Sequence, residues 1–80
     1  MRKIYILLVI ISNYMRLIFT LHAKERMDHY GITEEEVRKA IKIGAKTPQT
    51  DGLLSIFTYL RVAYKVRGDD YIIKTVMIER

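Results

Sequence analysis

"LRVAYKVR", residues 60–67, alternates without a break. Leu60, Val62, Tyr64 and Val66 fall on one side, and Arg61, Ala63, Lys65 and Arg67 on the other. A period of two marks a half-buried β-strand, because successive side chains point to opposite faces of a sheet. One face of this strand belongs to a core and the other is strongly basic. A chain with this feature must cover one sheet face with apolar material and leave a positive face to solvent or a partner.

The neighbouring segments continue the sheet. "LLSIFTYLRVAYKVR", residues 53–67, is too long for one strand in so small a chain, and a tight turn near Thr58-Tyr59 divides it. "RGDD", residues 67–70, is a hairpin turn, and "YIIKTVMIER" is the last strand. "KTPQTDG", residues 46–52, reads as a linker: Pro48 ends helical continuation and Asp51-Gly52 is a turn signal. Connections this short predict antiparallel pairing.

Upstream the period changes to that of a helix. Thr33 and Glu36 have the spacing of a capping box, and Glu34 and Glu35 add negative charge where the helix dipole favours it. Ile32 and Val37 suit a hydrophobic staple, and Val37, Ala40, Ile41 and Gly44 form the apolar stripe. An earlier helix spans about Leu21 to Tyr30, with Thr20 as N-cap and Gly31 as the stop. Ala23, Met27 and Tyr30 share its core side; His22, Arg26 and His29 stand on the neighbouring face at i, i+4, i+7. "RLIFT", residues 16–20, is short and alternating enough for a strand. The expected fold is α+β: two N-terminal helices packed on a three- to four-stranded antiparallel sheet.

With 80 residues the chain makes one domain. A domain this small buries only about 60% of its unfolded surface, which predicts a shallow groove rather than a deep cavity. The absence of cysteine excludes disulfides, thiolate chemistry and thiolate zinc sites. Two histidines without an acidic cluster at ligand spacing argue against a metal, and no cofactor is expected. A formal net charge of +5 favours a polyanionic partner.

"MRKIYILLVII" opens with two positive charges followed by an apolar run, residues 4–11. Four readings stay open: a misplaced start with the chain proper beginning near Met15, a β-strand, a signal or membrane tether, or something else. A membrane-spanning helix needs about 20 apolar residues, and Ser12, Asn13 and Arg16 interrupt this run earlier. Residues 1–14 are therefore set apart as an apolar extension and 15–80 as the domain, with a membrane partner not expected and a cytoplasmic location the expectation.

No Gly-rich phosphate loop, nucleophile elbow or HExxH is present. The chemistry available lies in His22, Arg26 and His29 on the first helix, Arg61, Lys65 and Arg67 on the middle strand, and Lys74 and Thr75 on the last. Cleavage of RNA by its own 2′-hydroxyl needs little more. The protein must move protons, which suits a histidine, and stabilise charge on phosphorus, which suits Arg or Lys. The same residues serve as well in a solvated helix face, a helix end and a soluble sheet edge.

"FTLHAKERMDHYGITEEEVRKAIKIG" resembles a small prokaryotic domain family of unknown function. Its members carry a strand ending in Phe-Thr, a His-Ala-x-x-Arg-Met helix, a Gly-Ile-[ST] turn and a Glu-rich helix. They close on a strand pair like "YLRVAYKVRGDDYIIKTVMIER". The likeness covers about Arg16 to Glu79. The family is distantly similar to the BrnT and RelE-like toxins, metal-independent ribonucleases of toxin–antitoxin pairs. The resemblance implies catalytic roles for His22, Arg26 and Thr75 and phosphate contacts by Lys65 and Arg67, which Arg61 joins from the basic strand face; it gives His29 no role. The partners implied are RNA and a cognate antitoxin protein, with a homodimer left open. The alternative is a nonenzymatic module that binds nucleic acid or protein through the basic sheet face.

Overall fold

The structure is a computed structural model, and it describes residues 15–79. The readings of residues 1–14 lie outside the described residues. In chain order the elements are β1 (Arg16–Phe19), α1 (Leu21–Tyr30), α2 (Glu34–Ile43), β2 (Ala45–Gln49), β3 (Gly52–Phe57), β4 (Leu60–Arg67) and β5 (Asp70–Ile78). The five strands form one sheet in the order β1-β5-β4-β3-β2.

The helices start and stop where local chemistry dictates. Thr20 Oγ1 accepts from the Ala23 N–H at 3.0 Å and caps α1. Gly31 ends it in the left-handed conformation, φ 70°, which glycine adopts without a Cβ clash. The capping box of α2 is complete: the Glu36 N–H donates to Thr33 Oγ1 at 3.1 Å, and the Thr33 N–H donates to Glu36 Oε1 at 2.9 Å. Ile32 and Val37 on either side of this cap are both buried, as a hydrophobic staple requires.

Both helices pack on one face of the sheet. Ala23, Met27, Ile32, Val37, Ala40 and Ile41 meet Leu60, Val62, Tyr64, Ile73 and Val76, and Met15 closes the cluster. Burying side chains of this kind contributes about 1.5–3 kcal/mol each. The core ends at Tyr64; Val66, nearer the hairpin turn, is exposed. Tyr30 is also exposed and lies under the Arg26 guanidinium, 5.3 Å from the ring centroid, rather than in the core. Among the described residues no helix is long and apolar enough to cross a membrane.

The sheet corrects the expected architecture. It has five strands and is mixed, with about half of the described residues in strands, though the domain remains α+β. Two elements make the difference. Lys46 to Gln49, read as linker, pairs with β3 as strand β2, with Pro48 opposite Leu53. Proline is tolerated there because β2 is the edge of the sheet, where a missing N–H breaks no second ladder. At the other edge β1 runs parallel to β5, from Arg16 opposite Asp70 to Phe19 opposite Ile73. Short connections force antiparallel pairing only between neighbours in sequence. β1 reaches β5 through the whole intervening domain, which is ample for a parallel return.

One irregularity shapes the site. The β4–β5 ladder shifts register between Ala63 and Tyr64: Ala63 pairs with Thr75 and Tyr64 with Ile73, so Lys74 is the extra residue of a β-bulge. The burial pattern records the same shift, since Ile73 and Val76 are both fully buried although three positions apart.

Candidate functional site

Alternation about this bulge assigns the basic residues to faces. Val62 and Tyr64 point to the helices, so Arg61, Ala63 and Lys65 point to the opposite, open face. Thr75, opposite Ala63, shares that face. Half-buried apolar residues lie between them: Leu54 and Ile56 on β3, Ile72 and Met77 on β5. Ile18 on β1, opposite Ile72, extends the row and is more exposed.

Four cations of this face, Arg16, Arg61, Lys65 and Lys74, pair with acids. Arg61 pairs with Glu79. Lys65 Nζ and Lys74 Nζ lie 3.5 Å and 3.8 Å from the same oxygen, Asp51 Oδ2, and Lys74 also donates to the Asp51 carbonyl. Arg16 Nε donates to Asp70 Oδ1 at 2.6 Å. This contact holds the Asp70 carboxyl below its usual range and raises the guanidinium in turn. Arg67, opposite Asp70 at the hairpin end, is exposed.

His22 and Arg26 stand on α1, which packs over the other face. His22 is exposed in the first turn. Arg26 is half-buried; its Nη2 donates to Tyr30 Oη at 3.3 Å, and its Nε is buried without a hydrogen-bond partner. Arg26 is thus engaged along its own helix rather than aimed at the sheet. His29 packs edge-on against Tyr30, 4.9 Å between ring centroids.

The structure therefore groups Arg61, Lys65 and Thr75 on one face and does not place His22 or Arg26 there. One residue joins the two groups. Thr20 Oγ1, while capping α1, also donates to the Lys74 carbonyl at 3.0 Å, and the Thr20 N–H donates to the Ile73 carbonyl at 3.1 Å. β1 stops at Phe19, so its pairing with β5 ends at Ile73, and the start of α1 sits beside β5 where the bulge begins. His22 follows that cap by two positions.

Two residues of this arrangement carry no signal in the sequence as site residues. Asp51 reads as half of a turn, and Thr20 reads as a cap and nothing more. Lys74 is visible as a basic residue on the last strand, but its place at a bulge is not.

Buried Tyr64, on the core side of the same strand, titrates above its ordinary value because burial disfavours the phenolate, a push that the Ser55 hydroxyl partly offsets.

No curated protein and no solved structure is significantly similar to the chain. A family model does match, over residues 19–78, and its description is "Domain of unknown function (DUF4258)". The match runs from the last residue of β1 to the last of β5, so both helices and the meander lie within it. The chain belongs to this family of domains of unknown function.

Proposed function

We propose that the protein is a metal-independent endoribonuclease, the toxin of a toxin–antitoxin pair, working where α1 meets the β5 bulge. The supporting observation is Thr20, whose hydroxyl is bonded at once to the Lys74 carbonyl and to the first turn of α1. Bulges recur next to active sites because they re-aim side chains and interrupt pairing. Here the bulge turns Thr75 onto the face of Lys65.

RNA lies across β5 in this reading, with a phosphodiester over Lys65, Lys74 and Thr75. The ammonium groups stabilise the charge that builds on the phosphoryl oxygens, and the Thr75 hydroxyl orients one of them. His22, exposed on α1 two residues after the Thr20 cap, is the group assigned to take the proton of the 2′-hydroxyl. The 2′-oxygen then bonds to phosphorus, the bond to the 5′-oxygen breaks, and that oxygen takes a proton from solvent. The products are a 2′,3′-cyclic phosphate and a 5′-hydroxyl. Arg26 supports the helix through Tyr30 and touches RNA less directly than the motif resemblance implies.

The test is His22→Gln. Cleavage of single-stranded RNA should fall about 10²–10⁴-fold, the usual worth of a positioned proton-transfer group. The melting temperature should not move, because His22 is exposed. A His22→Gln protein that cleaves as fast as the parent refutes the catalytic assignment.

A second reading, docking of a protein partner without catalysis, is favoured by the apolar residues Ile18 and Ile72 on one side of β4 and Leu54 and Ile56 on the other, all on the open face. RNA backbone gains little from such residues, whereas an amphipathic partner such as an antitoxin segment buries them. Tight binding of a protein partner together with absent RNA cleavage would favour this reading.

A further inference from the structure

Asp51 occupies an unusual position. It comes from the turn between β2 and β3, yet its carboxylate sits between cations of two other strands, Lys65 of β4 and Lys74 of β5. Both lysines are about one-third exposed, while the Asp51 side chain is 68% exposed. One carboxylate charge faces two ammonium charges, so the cluster keeps a positive excess.

The backbone presses the turn onto the lysines. Gly52 has φ 119°, and a Cβ built there would lie 2.3 Å from the Tyr64 carbonyl oxygen and 3.1 Å from Lys65 Cβ. A residue with a side chain would lift the turn off β4 and carry Asp51 with it. The bulge acts from the other side, since it is the extra residue of β5, Lys74, that reaches Asp51.

We propose that Lys65 and Lys74 form a binding site for a phosphodiester and that the Asp51 carboxylate holds this site until nucleic acid displaces it. A carboxylate and a phosphate each offer charged oxygens to ammonium donors, so one can stand where the other binds. Displacement is cheap. Exposed ion pairs have little net strength, and the outgoing carboxylate is rehydrated at once on a turn that is already open to solvent. The proposal rests on the RNA reading for its ligand but not for its site, which inorganic phosphate probes alone.

The experiment compares the full chain with Asp51→Asn, Lys74→Gln and Lys65→Gln. Removal of the competing carboxylate should tighten binding of a single-stranded oligoribonucleotide by roughly three- to tenfold, the worth of one or two exposed ion pairs. Either lysine substitution should weaken binding and make the log–log salt slope shallower by about 0.7, one phosphate contact on a single strand. In the second arm inorganic phosphate is titrated into Asp51→Asn while backbone amide shifts are followed. Shifts at Gly52, Lys65 and Lys74 are expected at lower phosphate concentrations than in the parent.

RNA affinity unchanged or weakened by Asp51→Asn, with no phosphate-dependent shifts, overturns the site and leaves the RNA reading standing. Phosphate shifts without any RNA binding support the site and refute RNA as its ligand. Amide spectra of all four proteins report folding directly. A disrupted Asp51→Asn spectrum would make the contact structural and overturn the proposal, and the lysine variants would confirm this by keeping the parent's salt slope.

Discussion

Thr20 Oγ1 donates to the Lys74 carbonyl at 3.0 Å, so a single hydroxyl ties the N-terminus of α1 to the bulge of the last strand, 54 residues away. The same oxygen accepts from Ala23. Thr20→Val keeps the shape and the β-branch but loses both bonds. It should lower stability by about 1–3 kcal/mol, combining a lost N-cap with a lost hydrogen bond. Thr20→Ser should recover most of this in a denaturant melt. A stable Thr20→Val alongside a destabilised Thr20→Ser would show that the methyl group matters and the hydroxyl does not.

Tyr64 makes stability fall at alkaline pH. Its phenol titrates above the unfolded value of 10.0 because it is buried. The unfolded chain therefore releases the proton first. The contribution of Tyr64 is fully present below pH 10.0 and is lost as pH rises through the folded value. Melting temperatures measured from pH 8 to 12 should decline, and Tyr64→Phe should flatten part of the decline. A parallel decline in the two proteins would assign the effect to other groups.

Thr58 sits at φ 53° in the two-residue turn joining Phe57 to Leu60. A β-branched residue there is strained by about 1–2 kcal/mol. Thr58→Gly relieves this strain at an entropic cost of about 0.5–1 kcal/mol. The net gain should be about 0.5–1 kcal/mol in the urea midpoint at constant m-value. A loss of stability would mean that the Thr58 hydroxyl, 2.6 Å from the Phe57 carbonyl oxygen, outweighs the strain.

RNA binding should respond steeply to salt. Four phosphate contacts by Arg61, Lys65, Arg67 and Lys74 give a log–log slope of about −3, at about −0.7 per contact on single strands. A flat response would take RNA away from this face and leave it to the apolar residues and a protein.

Local signals were readable in the chain, and long-range ones were not. The Thr33–Glu36 box, Gly31, the turn at Thr58-Tyr59 and the burial of Val62 and Tyr64 follow from residues a few positions apart. Pro48 misled because its meaning depends on whether its strand has one neighbour or two. The parallel partner of β1 lies at the far end of the chain and leaves no local mark. The bulge is hidden more deeply. Strict alternation through "YIIKTVMIE" would put Thr75 on the same face as Ile73, and only the shifted ladder moves it beside Ala63. Asp51 was legible as a turn former but not as a neighbour of Lys65 and Lys74, which no spacing brings together.

β1 is made first and finds its partner last. Its ladder bonds go to β5 alone, and the long-range bonds of Thr20 go to Ile73 and Lys74, so none of these can form while the final strand is still inside the ribosome. Contacts this distant in sequence also close slowly. α2 and the β2–β4 meander can collapse on the way, but α1, which packs chiefly on β5, stays unanchored to the sheet until translation has passed Lys74. A chain truncated before β5 would thus carry Arg61, Lys65 and Arg67 of the open face without Lys74, Thr75 or the Thr20 clasp. The face that gathers Lys65, Lys74 and Thr75 is therefore complete only once the final strand has emerged.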